Sequence, residues 1–279
     1  MITPSQEDYI TAFAYVPEHL PGYVAPISQT EPYLFGDFLV YAKKGHCIFV
    51  GYPLHEAFAE NRLEKALEDA VRCLRPASVS LMAPAIPPAI QQGPQAPADR
   101  YYRLDLSTLF LSQKLRNMLR RAERELVVVK NARFAQEHRE IVEAFLKNRS
   151  ADPATGFIFQ KIDAYLSSSK TASLFEARTG GGELAAFDIA EFRPKDYAVY
   201  MFNFRSGSHY VPGASDLLLS SVIEQATAEG KRYVNLGLGI NAGVRFFKEK
   251  WGGTAFLPHA FCLYRPRRKG LLEMLLQGL

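Results

Sequence analysis

Residues with chemical potential concentrate between Asn203 and Gly253, which read NFRSGSHYVPGASDLLLSSVIEQATAEGKRYVNLGLGINAGVRFFKEKWGG. A strand ends near Phe204, a loop carries Gly207, Pro212 and Gly213, and a helix starts near Ala214 or Ser215. The open N–H groups and positive dipole end of such a helix start hold an anion, so Gly213, Ala214 and Ser215 are candidate phosphate ligands. Tyr210, beside the loop, could protonate a leaving thiolate or hydroxyl, or simply pack with one hydrogen bond. Asn241 opens the last helix, as its N-cap or with its amide toward substrate. Asp188 and Glu191 lie three apart on one strand and point to opposite faces, so at most one serves a given site as general base. A second cluster is LSQKLRNMLRRAERE at 111–125. There Arg116, Arg120 and Arg124 recur at helical spacing, with Lys114 and Arg121 beside them. They form either a solvated outer face or a patch for phosphates of a nucleotide, a tRNA or an anionic lipid.

These residues need elements to position them. Only Glu7 to Tyr15 suggests a helix in the first 33 residues. Two β-rich runs between Leu34 and Tyr52 flank Lys43-Lys44-Gly45 as a hairpin, followed by a helix from His55 to Leu74 and a strand over Ser78–Met82. Residues 83–99 repeat proline and form a linker. A strand over Tyr101–Leu106 then leads into the basic helix, capped by Asp105 or Ser107 and packing Leu111, Leu115, Met118 and Ala122. A strand at Val127–Lys130 and helices at Gln136–Asn148 and Lys161–Ser167 follow, the helices parted by a SADPATGF loop. Next comes a meander of strands over 173–178, 183–192 and 197–204. Gly230 ends the helix after the loop, Tyr233–Leu236 is a strand, and Val244–Trp251 a helix. Two closing strands, 254–257 and 261–264, precede a basic, amphipathic tail that could dock on its own domain, a dimer mate or a membrane surface.

YVPGASDLLL at 210–219, RFFKEKWGG at 245–253 and the basic helix together resemble the GNAT superfamily of N-acyltransferases, in particular its Fem-like branch of peptidoglycan aminoacyl transferases. The resemblance implies an α/β (α+β) chain with a tandem GNAT-like acyl-CoA N-acyltransferase fold, its mixed, mostly antiparallel sheets flanked by helices. Residues 1–98 would form a degenerate half and 99–279 the working domain. The strand edge at Phe202, Asn203 and Phe204 would hold the acyl donor, and Pro212, Gly213, Ala214 and Ser215 its pyrophosphate. The second and third meander strands would splay to admit it. Lys248 matches the lysine that neutralises the developing oxyanion. The implied activity is transfer of an acyl group from acyl-CoA (acetyl-CoA), as co-substrate, to a primary amine on a small molecule or peptide. An aminoacyl-tRNA donor gripped by the basic helix is the alternative, and a non-catalytic binding module a further one. A homodimer is possible within this resemblance.

The totals bound these readings. With 279 residues, 48% hydrophobic and 22% charged, the chain is globular, and its net charge of +4 suits an anionic ligand without arguing for nucleic acid. Cys47, Cys73 and Cys262 have no metal-ligand spacing, and His19, His46, His55, His138, His209 and His259 are scattered, so no metal is expected. GxSxG, Walker and HExxH patterns are absent from the sequence. MITPSQEDY lacks a secretion-signal layout, and prolines interrupt the longest apolar run, so a soluble, cytoplasmic protein is expected.

Overall fold

The computed structural model describes residues 1–92, 97–131, 133–148 and 153–266. They form two compact units, one of Glu31–Ala98 with the chain from His259, the other of Ile2–Thr30 with Asp99–Pro258. One division falls at Ala98 and Asp99, but the ends of the chain are exchanged relative to a single cut there. Residues 2–30 join the second unit because the Asn235 amide donates to the Tyr15 carbonyl and Arg193 pairs with Glu7.

The first unit holds strands β1 (Glu31–Phe35), β2 (Phe38–Lys43), β3 (His46–Val50) and β4 (Ser78–Ala83). β1, β2 and β3 pair antiparallel, and β3 and β4 pair parallel. The connection from β3 to β4 is helix α3 (Glu60–Leu74), which buries Leu63, Ala66, Leu67 and Ala70. It starts five residues later than His55, since Gly51 N–H bonds Met82 and Leu54 N–H bonds Asp37, fixing the entry in extended form. Ala260–Tyr264 pair antiparallel with β4 and belong to one strand, β11 (Thr254–Tyr264), where two closing strands were expected.

The second unit begins with helices α1 (Pro4–Phe13) and α2 (Pro21–Ser28). Its sheet runs in the order β5 (Asp99–Asp105), β10 (Tyr233–Leu238), β9 (Tyr197–Arg205), β8 (Leu184–Glu191), β7 (Ala172–Thr179) and β6 (Leu126–Asn131). All neighbours are antiparallel except β9 and β10. Helices α4 (Gln113–Glu125) and α8 (Ala214–Ala228) cover one face, packing Leu115, Leu119 and Leu218 with Ala186, Ala198 and Val234. α5 (Gln136–Asn148), α6 (Pro153–Gln160) and α7 (Ile162–Ser168) cover the other with α2, around Phe187, Phe202 and Phe204. The last helix, α9, spans Ala242–Lys250. Across both units, no helix of the described residues is long and apolar enough to cross a membrane.

Two expectations are corrected here. α4 is capped by Ser112, whose hydroxyl accepts from Leu115 N–H, and neither Asp105 nor Ser107 caps it. Those two bond each other in a turn of their own. The stretch expected as a SADPATGF loop contains α6, with Pro153 preset for a first helical turn and Phe159 edge-on to Phe145, Phe202 and Phe204. The basic, amphipathic tail lies outside the described residues from 267 onward.

An ionic clamp ties α5 to the sheet. Arg178 on β7 donates to Glu137 of α5 and to Glu176, and Glu176 lies 3.0 Å from the buried His138 imidazole. His138 Nδ1 accepts from Ala135 N–H, which leaves Nε2 to carry the proton toward Glu176. Burial holds the imidazole below its usual range despite that carboxylate. Arg178→Met would strand the buried Glu176 charge. We expect a loss of roughly 2–4 kcal/mol in denaturant unfolding, read as a lower midpoint at unchanged slope.

Candidate active site

The parallel pairing of β9 with β10 lasts three residues, Tyr197↔Tyr233, Ala198↔Val234 and Val199↔Asn235. Each strand then carries one extra residue. On β9, Tyr200 pairs with Ala190 and Phe202 with Ile189, so Met201 is the insertion. On β10, Asn235 pairs with Arg103 and Gly237 with Tyr102, so Leu236 is the insertion. Bulges increase local twist and bend a strand, and two of them side by side turn β9 and β10 apart. The Asn235 side chain takes the Gly237 N–H and holds the β10 bulge. The opening therefore lies between β9 and β10. The second and third meander strands do not splay: β8 and β9 pair from Ala186↔Arg205 to Glu191↔Val199. Beyond Val199, β9 has no β10 partner, so the backbone of Phe202, Asn203 and Phe204 flanks the opening while both Phe side chains sit in the core.

Lys248 closes one side. Only 4% of the residue is exposed, and its Nζ donates to the Leu238 carbonyl at the end of β10. The ammonium lies 5.7 Å from the Tyr102 ring centre. Burial brings its pKa down to about 7, with Asp99 pulling weakly the other way. Lys250 instead pairs with Asp216, 2.6 Å away, and the Trp251 indole N–H donates to the same carboxylate.

On the other side the Met201 bulge places Tyr200 and Asn203 on one face, although three-residue spacing in a regular strand would oppose them. Both reach Asp188. The Asn203 amide donates to Asp188 Oδ1, and Ser215 Oγ–H donates to Asn203 Oδ1. The Tyr200 hydroxyl interacts with the same carboxyl group, but neither it nor the buried Asp188 Oδ2 makes a hydrogen bond of ordinary geometry among the described residues. Burial raises Asp188 to about 8, outweighing the Asn203 and Tyr200 dipoles. Glu191 is the structural member of the pair: it accepts from Tyr165, Ser169 and the N–H groups of Phe192 and Arg193.

Gly213 has φ +85 and is the N-cap of α8 with no capping side chain. The backbone angle favours glycine, and a Cβ there would press on α4, 3.2 Å from Met118 and 3.3 Å from Ala122. Ala214 N–H bonds Val211, while those of Ser215 and Asp216 take no partner among the described residues. Pro212 is exposed on the turn. Asp216 lies within the first helical turn, so an anion at this N-terminus would meet a carboxylate already there. Tyr210 is 57% exposed, with the Arg205 guanidinium 5.7 Å from its ring.

Of the other expected contacts, Asn241 is spent as a cap, accepting from Val244 N–H. Arg116 is occupied by the Leu111 carbonyl, Gln113 and the Phe110 ring. Arg120 and Arg124 are exposed and form no ion pair among the described residues. A cleft of about 700 Å³ lies at the opposite end of β10, lined by Arg103, Asp196 and Tyr233, and contains none of the expected residues. Glu137, His138 and Glu176 sit close enough to share a cation, but Arg178 already bonds both carboxylates. Tyr200 and Asp216 escaped the sequence reading: a bulge leaves no mark in residue type, and Asp216 reads as an ordinary first-turn acid.

A family model described as phosphatidylglycerol lysyltransferase, C-terminal, matches residues 23–267. Among solved structures, L-PGS from Bacillus licheniformis is 15% identical over 99% of this chain and 96% of that one, with TM-score 0.57. FemX is 10% identical over 93% and 96%, with TM-score 0.64. A tandem GNAT protein from the clavulanic acid biosynthesis pathway is 12% identical over 83% and 79%, with TM-score 0.52. These likenesses are of fold, a GNAT-like mixed sheet flanked by helices. No curated protein matches by sequence.

The raised Asp188 makes a pH prediction. Protonated when folded and ionised when unfolded, it takes stability away as pH rises from about 4 to about 8. Asp188→Asn removes that dependence. The variant should gain on wild type by about 1–3 kcal/mol across this window, measured by urea unfolding at several pH values.

Proposed function

Because the chain belongs to the family of phosphatidylglycerol lysyltransferase C-terminal domains, an acyltransferase family on a GNAT-like fold, we propose that it moves an aminoacyl group from an aminoacyl-tRNA to a hydroxyl on the headgroup of an anionic phospholipid. The observation that carries the reading is Lys248, a buried amine at the end of β10 where the sheet opens. In this reading the acceptor oxygen adds to the ester carbonyl, and negative charge develops on the carbonyl oxygen. The Lys248 ammonium, shielded from water, compensates it there more strongly than a surface lysine would. The tetrahedral species expels the ribose oxygen of the tRNA end, which takes the Tyr210 hydroxyl proton, while the proton the acceptor loses returns through solvent to this exposed tyrosine. Arg120 and Arg124 supply phosphate contacts for the tRNA.

Acyl-coenzyme A is the second reading, favoured by the open Ser215 and Asp216 N–H groups. Electrostatics weigh against it. A pyrophosphate on α8 would sit beside the Asp216 carboxylate, already engaged by Lys250 and the Trp251 indole, whereas the ammonium of an aminoacyl group is attracted by that carboxylate.

The test is to incubate the protein with radiolabelled lysyl- or alanyl-tRNA and vesicles of phosphatidylglycerol, and to follow labelled lipid. We expect product, reduced on the order of 100-fold or more in kcat by Lys248→Met. No labelled lipid, together with micromolar binding of acetyl-CoA by calorimetry, overturns the proposal. A double Arg120→Glu, Arg124→Glu change should raise KM for tRNA about tenfold with kcat nearly intact, and flatten the salt dependence of KM.

A further inference from the structure

Ile240 is a β-branched residue, 71% exposed, with φ +54. The other non-glycine residues with positive φ among those described, Gln29 and Arg75, are C-caps of helices, where a left-handed residue is expected. Ile240 has no such excuse, and a side chain of its kind resists this backbone. What holds it is Asp99. The Asp99 Oδ2 accepts from Ile240 N–H at 2.8 Å and Oδ1 from Gly239 N–H at 3.0 Å. A Cβ on Gly239 would stand 2.7 Å from Oδ1, so only glycine admits the carboxylate. Asn241 N–H closes the turn on the Gly239 carbonyl at 2.6 Å.

The residue just before this turn is Leu238, whose carbonyl receives Lys248 Nζ. Around that ammonium stand the Tyr102 ring from β5, Gly237 from β10 and, as the charge acting on it, Asp99. The neighbouring Glu249 is turned to the Tyr102 hydroxyl, 3.4 Å away. One carboxylate thus holds the turn that receives the amine and opposes, in part, the effect of burial on it. We propose that Asp99 is the positioning residue of the transfer site, clamping the Gly239–Ile240 turn so that the Leu238 carbonyl aims Lys248, with its own carboxylate acting on that amine. This deepens the aminoacyl-transfer reading and rests on it for its catalytic meaning.

The experiment separates the two. Reductive ¹³C-methylation of the lysines, with Lys248→Met to assign the resonance, gives the titration of Lys248 by NMR without any substrate. Titration near neutral pH is expected in wild type, and in Asp99→Asn a midpoint lower by roughly one unit. In the transfer assay Asp99→Asn should lose about tenfold in kcat at unchanged KM for tRNA, with the alkaline limb of the pH profile moved by the same amount as the NMR midpoint. Adding Ile240→Gly to Asp99→Asn relieves the turn and safeguards folding, but leaves the limb displaced. An unmoved Lys248 titration in folded Asp99→Asn, or full rescue by Ile240→Gly, overturns the proposal and leaves Asp99 a structural residue. A shifted titration without any lipid product in wild type keeps the electrostatic role of Asp99 and sinks the substrate reading instead.

Discussion

A parallel strand pair that stops after three residues is the constraint from which the site follows. β9 and β10 cannot continue their ladder past Val199 and Asn235 because each gains a residue there, Met201 and Leu236. Past that point β10 turns to side chains for its bonds, the Gly237 N–H to Asn235 and the Leu238 carbonyl to Lys248, which leaves the strands apart. The insertion also re-aims side chains. Tyr200 and Asn203 converge on Asp188 only because of Met201, and Gly237 approaches Lys248 only because Leu236 has shifted the register.

Burial at this opening moves two groups in opposite directions toward one range. The Lys248 ammonium is brought down to about 7 and the Asp188 carboxyl raised to about 8. Both shifts have the same first cause, removal from water, which disfavours whichever form carries charge. A domain selected only for stability would fill such positions with apolar side chains of similar volume. Retaining both groups on either side of an opening in a sheet is what the proposed transfer site would use.

Much of the second unit was legible in sequence. Leu217, Leu218, Val222 and Ile223 place α8 by their spacing, Asn241 announces itself as a cap, and the meander turns are written in Gly180–Gly182 and Pro194. Lys248 was picked out, though its burial was not: two flanking charged residues suggest a wet helix, and only the fold shows that Lys248 turns inward while Glu249 stays out. The start of α4 was misplaced because Asp105 and Ser107 are good caps by type and happen to bond each other first. Glycine at 213 was read as a phosphate ligand, and the positive φ of the turn accounts for it without any ligand. The bulges, the place of the splay and the reach of Asp99 across 140 residues to Gly239 are matters of register, and register is decided by partners a local reading cannot see.

The bond from the Asn235 amide to the Tyr15 carbonyl spans 220 residues. It belongs to a segment, Ile2–Thr30, that is made well before the strands it assembles with. On a ribosome adding some 5–20 residues per second, that segment waits roughly ten seconds or more for β10, with Val16, Leu20 and Ile27 still lacking the core they will enter. A segment synthesised long before its partners therefore settles only when they arrive, and closure of the second unit is a long-range event of the kind that makes folding slow.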